Sequence, residues 1–404
     1  MGKVIKKSTI LLPKNVDFRK WAVVACDQFT SQPEYWEKLE NYVGDAPSTL
    51  KITYPEIYLN DNMDKRIADI NKNMEAYLSE GIFEELEGFV LVEREVEGGQ
   101  KRLSLVISVD LETYDYHRVK TEIRATEDTI IERLPVRLKI RENAKIELPH
   151  IILLIDDNKN SIIEPIYEAK EKLRKLYDFE LNMDGGHIAG YLVSEVEEIL
   201  AQFDSLLDSN LQNEKYSCDA KIMFAVGDGN HSMATAKEHW NKIKANLTKE
   251  EQKNNPARFA LVEVMNIYDD ALMFHPIHRV IFDCKESFVD GLKKVLSGSG
   301  KLKLLSNSGE TFIDCPQKSS ETITIVQEYI ERLRKEQNLD VDYVHGENYV
   351  KNIVQKTNAL GIIMPEFAKS ELFEYVVNVG NLPKKAFSIG TAENKKYYME
   401  AKRI

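Results

Sequence analysis

The residues best suited to chemistry follow one another in a short polar turn at positions 227–232. This turn reads Gly227-Asp228-Gly229-Asn230-His231-Ser232 and lies between an apolar run at 222–226 and a helical pattern at 232–244. A strand that passes through a glycine-rich turn into a helix presents backbone N–H groups without intrahelical partners, at the positive end of the helix dipole. Glycine also allows close backbone approach or a positive φ. The turn is therefore suited to bind an anion such as a phosphate.

Each polar side chain of the turn has a possible role in such a site. Asp228 could hold a metal ion, while Asn230 and His231 add hydrogen-bond donors. An ordinary strand-to-helix turn with a polar cap explains the same residues equally well. A Rossmann fingerprint would need glycine where Ser232 stands, and the chain contains neither a complete Walker A loop nor a G-x-S-x-G elbow.

The histidine spacing argues against a zinc site. His231 and His239 would lie about 12 Å apart along a helix. His275 and His278 lie in an extended stretch, where side chains three positions apart point to opposite faces. A magnesium ion remains compatible with the sequence, since it needs only one or two carboxylates plus phosphate oxygens.

The hydrophobic patterns that must position these residues alternate between helix and strand, which predicts a mixed α/β protein. Strands are predicted at 22–25, 150–155, 222–226, 341–345 and 361–364, and hairpins at 89–96 with 103–109 and at 179–183 with 188–193. Helices are predicted from Pro33, at 61–78, 127–142, 162–177, 232–244, 321–339 and 366–379. The polar stretches 208–217 and 306–320 are predicted as loops.

Composition excludes several classes of protein. The 404 residues are 43% hydrophobic, which is enough for a large core, and the formal net charge is -12. An acidic chain of this kind disfavours binding to nucleic acid or an anionic membrane surface. The four cysteines are scattered without C-x-x-C spacing, and the apolar run at 8–13 is too short for a signal peptide. We therefore expect a cytoplasmic protein with reduced thiols, with a homo-oligomer still possible.

Four segments resemble the family called domain of unknown function 1015, in matching order along nearly the whole chain. Residues 225–232 are similar to its [AV]-D-G-H-H-R signature and residues 274–280 to its P-x-H-R-V-[VI] segment. Residues 23–28 lie where the family has A-P-P-Y-D-V, and residues 380–388 resemble its G-x-[ML]-P-x-K-S-T-x-F ending. On this basis we treat the chain as one family-length unit, 1–404. A tentative subdivision is an N-terminal α/β part at 1–215 and a C-terminal α/β part at 216–404.

The resemblance implies a ParB/sulfiredoxin-like nucleotide-binding core with large inserted and C-terminal α/β elements. It also implies ATP or ADP as phosphate donor, Mg2+, and a small-molecule kinase acting on free L-serine. The chain departs from the signature, because Asn230 replaces the first histidine and Ser232 replaces the arginine. Arg279 could supply the missing cation.

These considerations predict a set of site residues. A serine hydroxyl is a poor nucleophile, so its kinase needs a carboxylate base, for which Asp27 is the candidate; a capping role explains Asp27 equally well. Asp228 and His231 complete the predicted catalytic group, and Asp228 is also the predicted metal ligand. The predicted phosphate contacts are Gly227, Gly229, Asn230, Ser232, His278 and Arg279, although a solvated strand end explains the last two equally well. The alternative function is a non-catalytic nucleotide-binding sensor with a ParB-like core.

Overall fold

The computed structural model describes residues 4–59, 62–117, 119–391 and 395–404, and it has the mixed α/β composition that the sequence predicts. The chain forms two compact units. The first contains the described residues of 1–125, 129–272 and 391–404, and the second contains 126–128 and 273–390. The tentative boundary between 215 and 216 falls inside the first unit, because strands from both sides of it join one sheet.

The strands and helices alternate along the whole chain. The strands are β1 Ile5–Lys6, β2 Ser8–Pro13, β3 Phe83–Glu95, β4 Lys101–Asp110, β5 Tyr114–Asp115, β6 Ile123–Arg124, β7 Ile146–Glu147, β8 Ile152–Ile155, β9 Arg174–Glu180, β10 His187–Val193, β11 Phe224–Asp228, β12 Phe259–Asn266, β13 Phe274–Ile281, β14 Gly300–Ser306, β15 Gly309–Cys315, β16 Val341–His345, β17 Leu360–Ile363, β18 Phe387–Ile389 and β19 Lys402–Arg403. The helices are α1 Phe18–Trp21, α2 Pro33–Val43, α3 Met63–Ser79, α4 Leu134–Arg141, α5 Ile163–Glu168, α6 Glu197–Ser205, α7 Ser209–Tyr216, α8 Asn230–Lys244, α9 Lys249–Asn254, α10 Glu286–Val295, α11 Ser319–Gln337, α12 Glu347–Thr357 and α13 Glu371–Asn378.

One large sheet organises the first unit. Its strand order is β5-β6-β11-β8-β12-β4-β3-β10-β9, with β1 added beside β4 and β2 beside β3. Most neighbours are antiparallel, but three pairs are parallel: β12 with β8, β11 with β6, and β5 with β6. Strand β11, which leads into the polar turn, therefore lies inside the sheet with a neighbour on each side.

Both faces of this sheet are buried. In β3, Phe89 and Leu91 pack into one hydrophobic cluster, whereas Val90 and Val92 pack into another. Successive side chains of a strand point to opposite faces, so two clusters from one strand require apolar layers on both sides. A sheet covered in this way holds β11 and β8, and the residues that follow or precede them, in fixed positions.

The last described segment, 395–404, crosses the core of the first unit. Lys396 lies 3.1 Å from a Glu263 oxygen and 3.3 Å from a Glu400 oxygen, and all three side chains are buried. Tyr177 donates a hydrogen bond to Glu400, and Ser104 donates one to Glu263 at 2.5 Å. Burial opposes the charged form of Glu263, but the neighbouring cations, Lys396 first, outweigh it and lower its pKa. This segment is consequently held by ion pairs inside the protein.

The second unit has its own sheet and core. Its strand order is β15-β14-β17-β13-β16, and β18 pairs with one end of β13. Val280 and Leu305 from the sheet pack against Val350 and Val354 of α12. The unit therefore has an apolar cluster built entirely from its own elements.

Several local predictions need correction. Residues 162–177 form only the short helix α5 before β9 begins at Arg174, so the helix predicted there was too long. Residues 22–25 contribute a single bridge, between Val24 and Tyr397, and not a strand. The stretches 208–217 and 306–320, predicted as loops, contain helix α7 and strand β15. Both elements carry many polar residues, so their hydrophobic periodicity is too weak to recognise in the sequence. Residue 61, in the helix predicted at 61–78, lies outside the described residues; the helix begins at Met63.

We expect Lys396→Met to destabilise the first unit strongly. The substitution leaves Glu263 and Glu400 buried without their shared cation, and breaking a buried pair in this way typically costs about 3–5 kcal/mol. Urea unfolding followed by tryptophan fluorescence measures the free energy of unfolding of the first unit, because this unit contains all three tryptophans, Trp21, Trp36 and Trp240.

Lys175→Met provides the matched control. Lys175 pairs with Asp178 at 2.7 Å on the surface of the same unit, where an ion pair contributes about 0–1 kcal/mol. Equal shifts of the unfolding midpoint in the two variants would show that the buried network does not hold the unit together.

Candidate functional site

The polar turn after β11 leads directly into helix α8. Gly229 occupies the capping position with φ +81° and ψ +27°, a left-handed conformation that favours glycine. A Cβ atom on this residue would lie 3.1 Å from the Cα of Ile151. Because glycine has no side chain, the capping position cannot accept from the first-turn amides as serine or aspartate would. The start of α8 is thus built for close approach of a ligand or of neighbouring backbone.

Asp228 forms an ion pair at this turn. One carboxylate oxygen lies 2.6 Å from Nζ of Lys395, and the other accepts the N–H of Gly229 at 2.9 Å. Burial favours the neutral acid, but Lys395, the Gly229 amide and His150 together lower the pKa of Asp228. Asp228 therefore remains ionised beside a cation, at the start of a helix.

A chain of hydrogen bonds connects α8 to the segment that contains Asp27. Oγ of Ser232 lies 2.5 Å from Nε2 of His150, and Nδ1 of the same ring lies 3.2 Å from the Tyr398 hydroxyl. That hydroxyl accepts the backbone N–H of Cys26 at 3.1 Å. The structure thus brings Ser232 and the predicted base segment into one connected network.

The Cys26 and Asp27 side chains are half-buried next to each other. Burial, with the negative charge of Asp27 as the next cause, raises the pKa of the Cys26 thiol to about 12. Burial also raises the pKa of Tyr398 well above its usual value, and the nearby Cys26 and Asp27 add to this effect. Asp27 accepts a hydrogen bond from the Gln28 amide at 2.9 Å. Cys26 and Tyr398 consequently keep their protons at neutral pH.

A cavity of about 170 Å³ opens beside this network. Its polar side includes His150, Ser232 and Tyr398, together with an ion pair between Arg137 and Glu56. Its remaining walls are mainly apolar and include Ile52, Ile70, Met74, Ile140, Ile146 and Leu148. A pocket with apolar walls and a few convergent polar groups is the usual form of a small-molecule site.

The other predicted residues of the turn have mainly local roles. Nε2 of His231 accepts the backbone N–H of Ile130 at 3.1 Å, and Asn230 is buried in the first turn of α8. Gly227 lies in β11, where the register with β8 shifts between Val226 and Asp228. These contacts fix the shape of the turn.

His278 and Arg279 lie in β13 of the second unit, and we do not include them in the candidate site. Arg279 is fully buried, and its guanidinium donates to the Gln327 side chain and to the carbonyl oxygens of Ile277 and Lys385. Nδ1 of His278 accepts the Met364 N–H at 3.1 Å, and burial lowers the pKa of this imidazole to about 4. These bonds favour a structural role for both residues over the predicted phosphate contact.

The described residues contain no group of three or more histidine, cysteine, aspartate or glutamate side chains arranged to hold a metal ion. Asp228 is the carboxylate of the turn, and both of its oxygens already have partners. A magnesium ion at this turn would have to share or replace the contact of Asp228 with Lys395, and its other ligands would be phosphate oxygens and water. Over the same described ranges, no helix has the length and apolar character needed to cross a membrane.

Sequence reasoning missed three residues of the site, namely His150, Lys395 and Tyr398. Each is distant in sequence from its partner, with 82 positions between His150 and Ser232 and 167 between Asp228 and Lys395. The one local signal was the position of His150 as the first residue of the strand predicted at 150–155. Strand β8 pairs antiparallel with β11, so the start of β8 lies beside the turn that follows β11.

The chain belongs to the family described as "Protein of unknown function (DUF1015)", whose sequence model matches residues 10–373. No curated protein matches it significantly. The confirmed family assignment covers three of the four resembling segments in full; the fourth, at 380–388, lies beyond the matched range.

Solved structures with similar folds include one described as a free serine kinase in complex with AMP. It is 11% identical, with a TM-score of 0.39, covering 73% of this chain and 90% of that one. A conserved hypothetical protein from Pyrococcus furiosus is 9% identical with a TM-score of 0.35, covering 74% and 94%. SbnI from Staphylococcus aureus, truncated at its C-terminus, is 10% identical with a TM-score of 0.36, covering 74% and 82%. Overlaps this loose assign neither a reaction nor a substrate to this chain.

We expect Lys395→Met to raise the pKa of Asp228, because burial then acts on the carboxylate without its main opposing cation. A carbon-detected NMR titration of the aspartate carboxyls measures the change, with Asp228→Asn identifying the resonance. In the control variant Lys175→Met the Asp228 midpoint should stay where it is in the wild type. A midpoint that does not move to higher pH in Lys395→Met would show that the pair contributes little to the charge at the turn.

Proposed function

We propose that this protein is a nucleotide-dependent small-molecule kinase that phosphorylates the hydroxyl of free L-serine to O-phosphoserine. The observation that carries the proposal is the turn at Gly229, where a helix start and the Asp228–Lys395 pair lie next to the His150–Ser232 contact. His150, Ser232 and Tyr398 line the adjoining cavity. Membership of the family, with the kinase activity that the resemblance implies, supports the same conclusion.

The phosphates of the nucleotide would bind at the start of α8. The helix dipole and the first-turn amides favour an anion there, and Lys395, which is paired with Asp228, places an ammonium group at the same turn. Transfer of a phosphoryl group depends chiefly on positioning and on neutralising the charge of its oxygens. The apolar walls of the cavity, such as Ile52 and Met74, suit the nucleoside better than they suit polar serine.

Magnesium would be held by Asp228 together with the phosphates, and when bound it would neutralise part of the phosphate charge. In the structure Lys395 pairs with one oxygen of this carboxylate. We propose that Lys395, like the ion, neutralises part of the phosphate charge.

Asp27 is the proposed general base for the serine hydroxyl. It lies on the segment that the Tyr398 hydroxyl connects to the turn, and its carboxylate accepts a hydrogen bond from the Gln28 side chain. A carboxylate that accepts the hydroxyl proton in the transition state typically contributes about 10²–10⁴-fold to the rate.

The turn should lose nucleotide binding when Gly229 is replaced by valine. Both the positive φ and the 3.1 Å approach to Ile151 resist a β-branched side chain, so the backbone must shift away from the phosphates. We expect binding of ATP or ADP, measured by calorimetry with Mg2+, to weaken about tenfold or more, which corresponds to losing one charge-assisted hydrogen bond.

Gly98→Val is the matched control for this variant. Gly98 also has a positive φ, +79°, but a Cβ atom there would meet open space. The control carries a similar positive φ in the turn between β3 and β4, outside the α8 turn, and should keep its nucleotide affinity. Unchanged affinity in a folded Gly229→Val protein would remove the turn from the binding site.

Asp27→Asn should lower kcat by about 10²–10⁴-fold and change KM little, because the amide keeps the shape but cannot accept the proton. The assay is O-phosphoserine formation from serine, ATP or ADP, and Mg2+, detected by mass spectrometry. Asp17→Asn, at the exposed cap of α1, keeps a good capping residue and should retain full activity.

Two results would contradict this assignment in different ways. Full kcat in Asp27→Asn would mean that another group accepts the proton. Nucleotide binding by the wild type without phosphorylation of serine or a related hydroxy amino acid would favour the alternative, a non-catalytic sensor.

A further inference from the structure

We propose that Ser232 is itself a nucleophile, which takes the phosphoryl group from the nucleotide and passes it to the acceptor hydroxyl. This inference rests on the proposed function and changes the role of Ser232 from a phosphate contact to a covalent carrier. The resemblance places an arginine at this position of the signature, so the proposal concerns a feature in which this chain departs from the signature.

Ser232 has the immediate surroundings of an activated hydroxyl. Its Oγ lies 2.5 Å from Nε2 of His150, within the first turn of α8 and on the wall of the cavity. A nucleophile and a base within hydrogen-bond reach, with the base oriented by a third group, is the common arrangement for covalent catalysis. The side chain is half-buried, so the cavity gives it access to a ligand.

Tyr398 is the group that orients the base. Its hydroxyl lies 3.2 Å from Nδ1 of His150, and the two rings pack edge to face with centroids 6.0 Å apart. The Tyr398 oxygen accepts the Cys26 N–H, and its second lone pair can accept an N–H from Nδ1 of His150. With its proton on Nδ1, the imidazole presents the lone pair of Nε2 to the Ser232 hydroxyl.

A cation also lies at the turn. Nζ of Lys395 is 2.6 Å from the Asp228 carboxylate, where it can stabilise the negative charge of the phosphoryl oxygens.

Other nucleophiles on the cavity wall are less well placed. The pKa of the Cys26 thiol is about 12, so its reactive thiolate is scarce at neutral pH. The Thr235 hydroxyl, one turn further along α8, donates to the carbonyl of His231 at 2.7 Å. Of Cys26, Thr235 and Ser232, it is Ser232 whose side chain lies within hydrogen-bond distance of the His150 imidazole.

The reaction balances in two steps. First, Oγ of Ser232 forms a bond to the terminal phosphorus of the nucleotide while the bond to the departing nucleoside phosphate breaks, and the hydroxyl proton moves to Nε2 of His150. Second, the acceptor hydroxyl attacks the phosphoserine, its proton passes to a base such as Asp27, and Oγ leaves with the proton from His150.

The test is rapid-quench labelling of the wild-type protein with ATP or ADP that carries 32P in the terminal phosphate, with Mg2+ and without acceptor. We expect up to one label per chain, on Ser232 by peptide mass spectrometry, and transfer of the label to O-phosphoserine when serine is added. Ser232→Ala should abolish the label. Ser205→Ala, the same substitution at the exposed end of α6, should keep it, and His150→Gln should slow labelling by about 10²–10⁴-fold.

A second measurement needs no variant. Two successive displacements retain the configuration of a chiral terminal phosphorus, whereas direct transfer inverts it. O-phosphoserine formed with inversion, or turnover in the wild type without label on Ser232, would overturn the covalent step and leave the kinase intact. Label on Ser232 that never reaches an acceptor would support the nucleophile and contradict the kinase, and absence of both label and turnover would overturn both.

Discussion

The buried ion network around Lys396 is the constraint on which the first unit depends. Lys396, Glu263 and Glu400 are removed from water, and such charges are tolerated only when they compensate one another and their remaining hydrogen bonds are satisfied. Glu263 belongs to a central strand, whereas the other two belong to the segment 395–404. The chain must therefore bring its last described residues into the middle of its largest sheet.

The segment 395–404, which the buried ion network holds in place, also supplies residues of the candidate site. Arg94, in β3, donates to the carbonyl oxygens of Lys395 and Gly185, both at 2.7 Å, and lies 4.8 Å from the centre of the Tyr397 ring. Lys395 then pairs with Asp228, and Tyr398 contacts His150. A segment fixed by buried charge thus supplies both a cation and an orienting hydroxyl, and groups held in this way need little reorganisation when a ligand binds.

At the turn, the backbone conformation of Gly229 and the charge of Asp228 depend on each other. Gly229 gives up a capping side chain, which leaves the helix start suited to an anion, while Asp228 uses the Gly229 amide and Lys395 to remain ionised. Asn230 and Ser232 replace charged or titratable residues of the family signature, so the positive charge at this turn comes from elsewhere in the chain. His150 and Lys395 supply groups of the kind that the signature would place on the loop.

The sequence determined those features that depend on neighbouring residues. The alternation of periodicities fixed the mixed α/β class, and the run from 222–226 into a glycine turn and a helix was correct because each step is a local preference. Three of the four family segments, which are also short local motifs, lie within the matched range of the family. Asp27 and the turn residues were predicted as a site, and their functional roles remain predictions.

Only the tertiary structure decided what lies beside the turn. His150, Lys395 and Tyr398 reach it through sheet pairing and buried charge over 82 to 248 positions, which no local pattern encodes. The same non-local forces made residues 174–177 part of strand β9, where the sequence predicted helix, because antiparallel pairing with β10 outweighs helical propensity at the sheet edge. They also buried Arg279 against Gln327, so a residue that the sequence offers as a cation for phosphate is occupied by structural bonds.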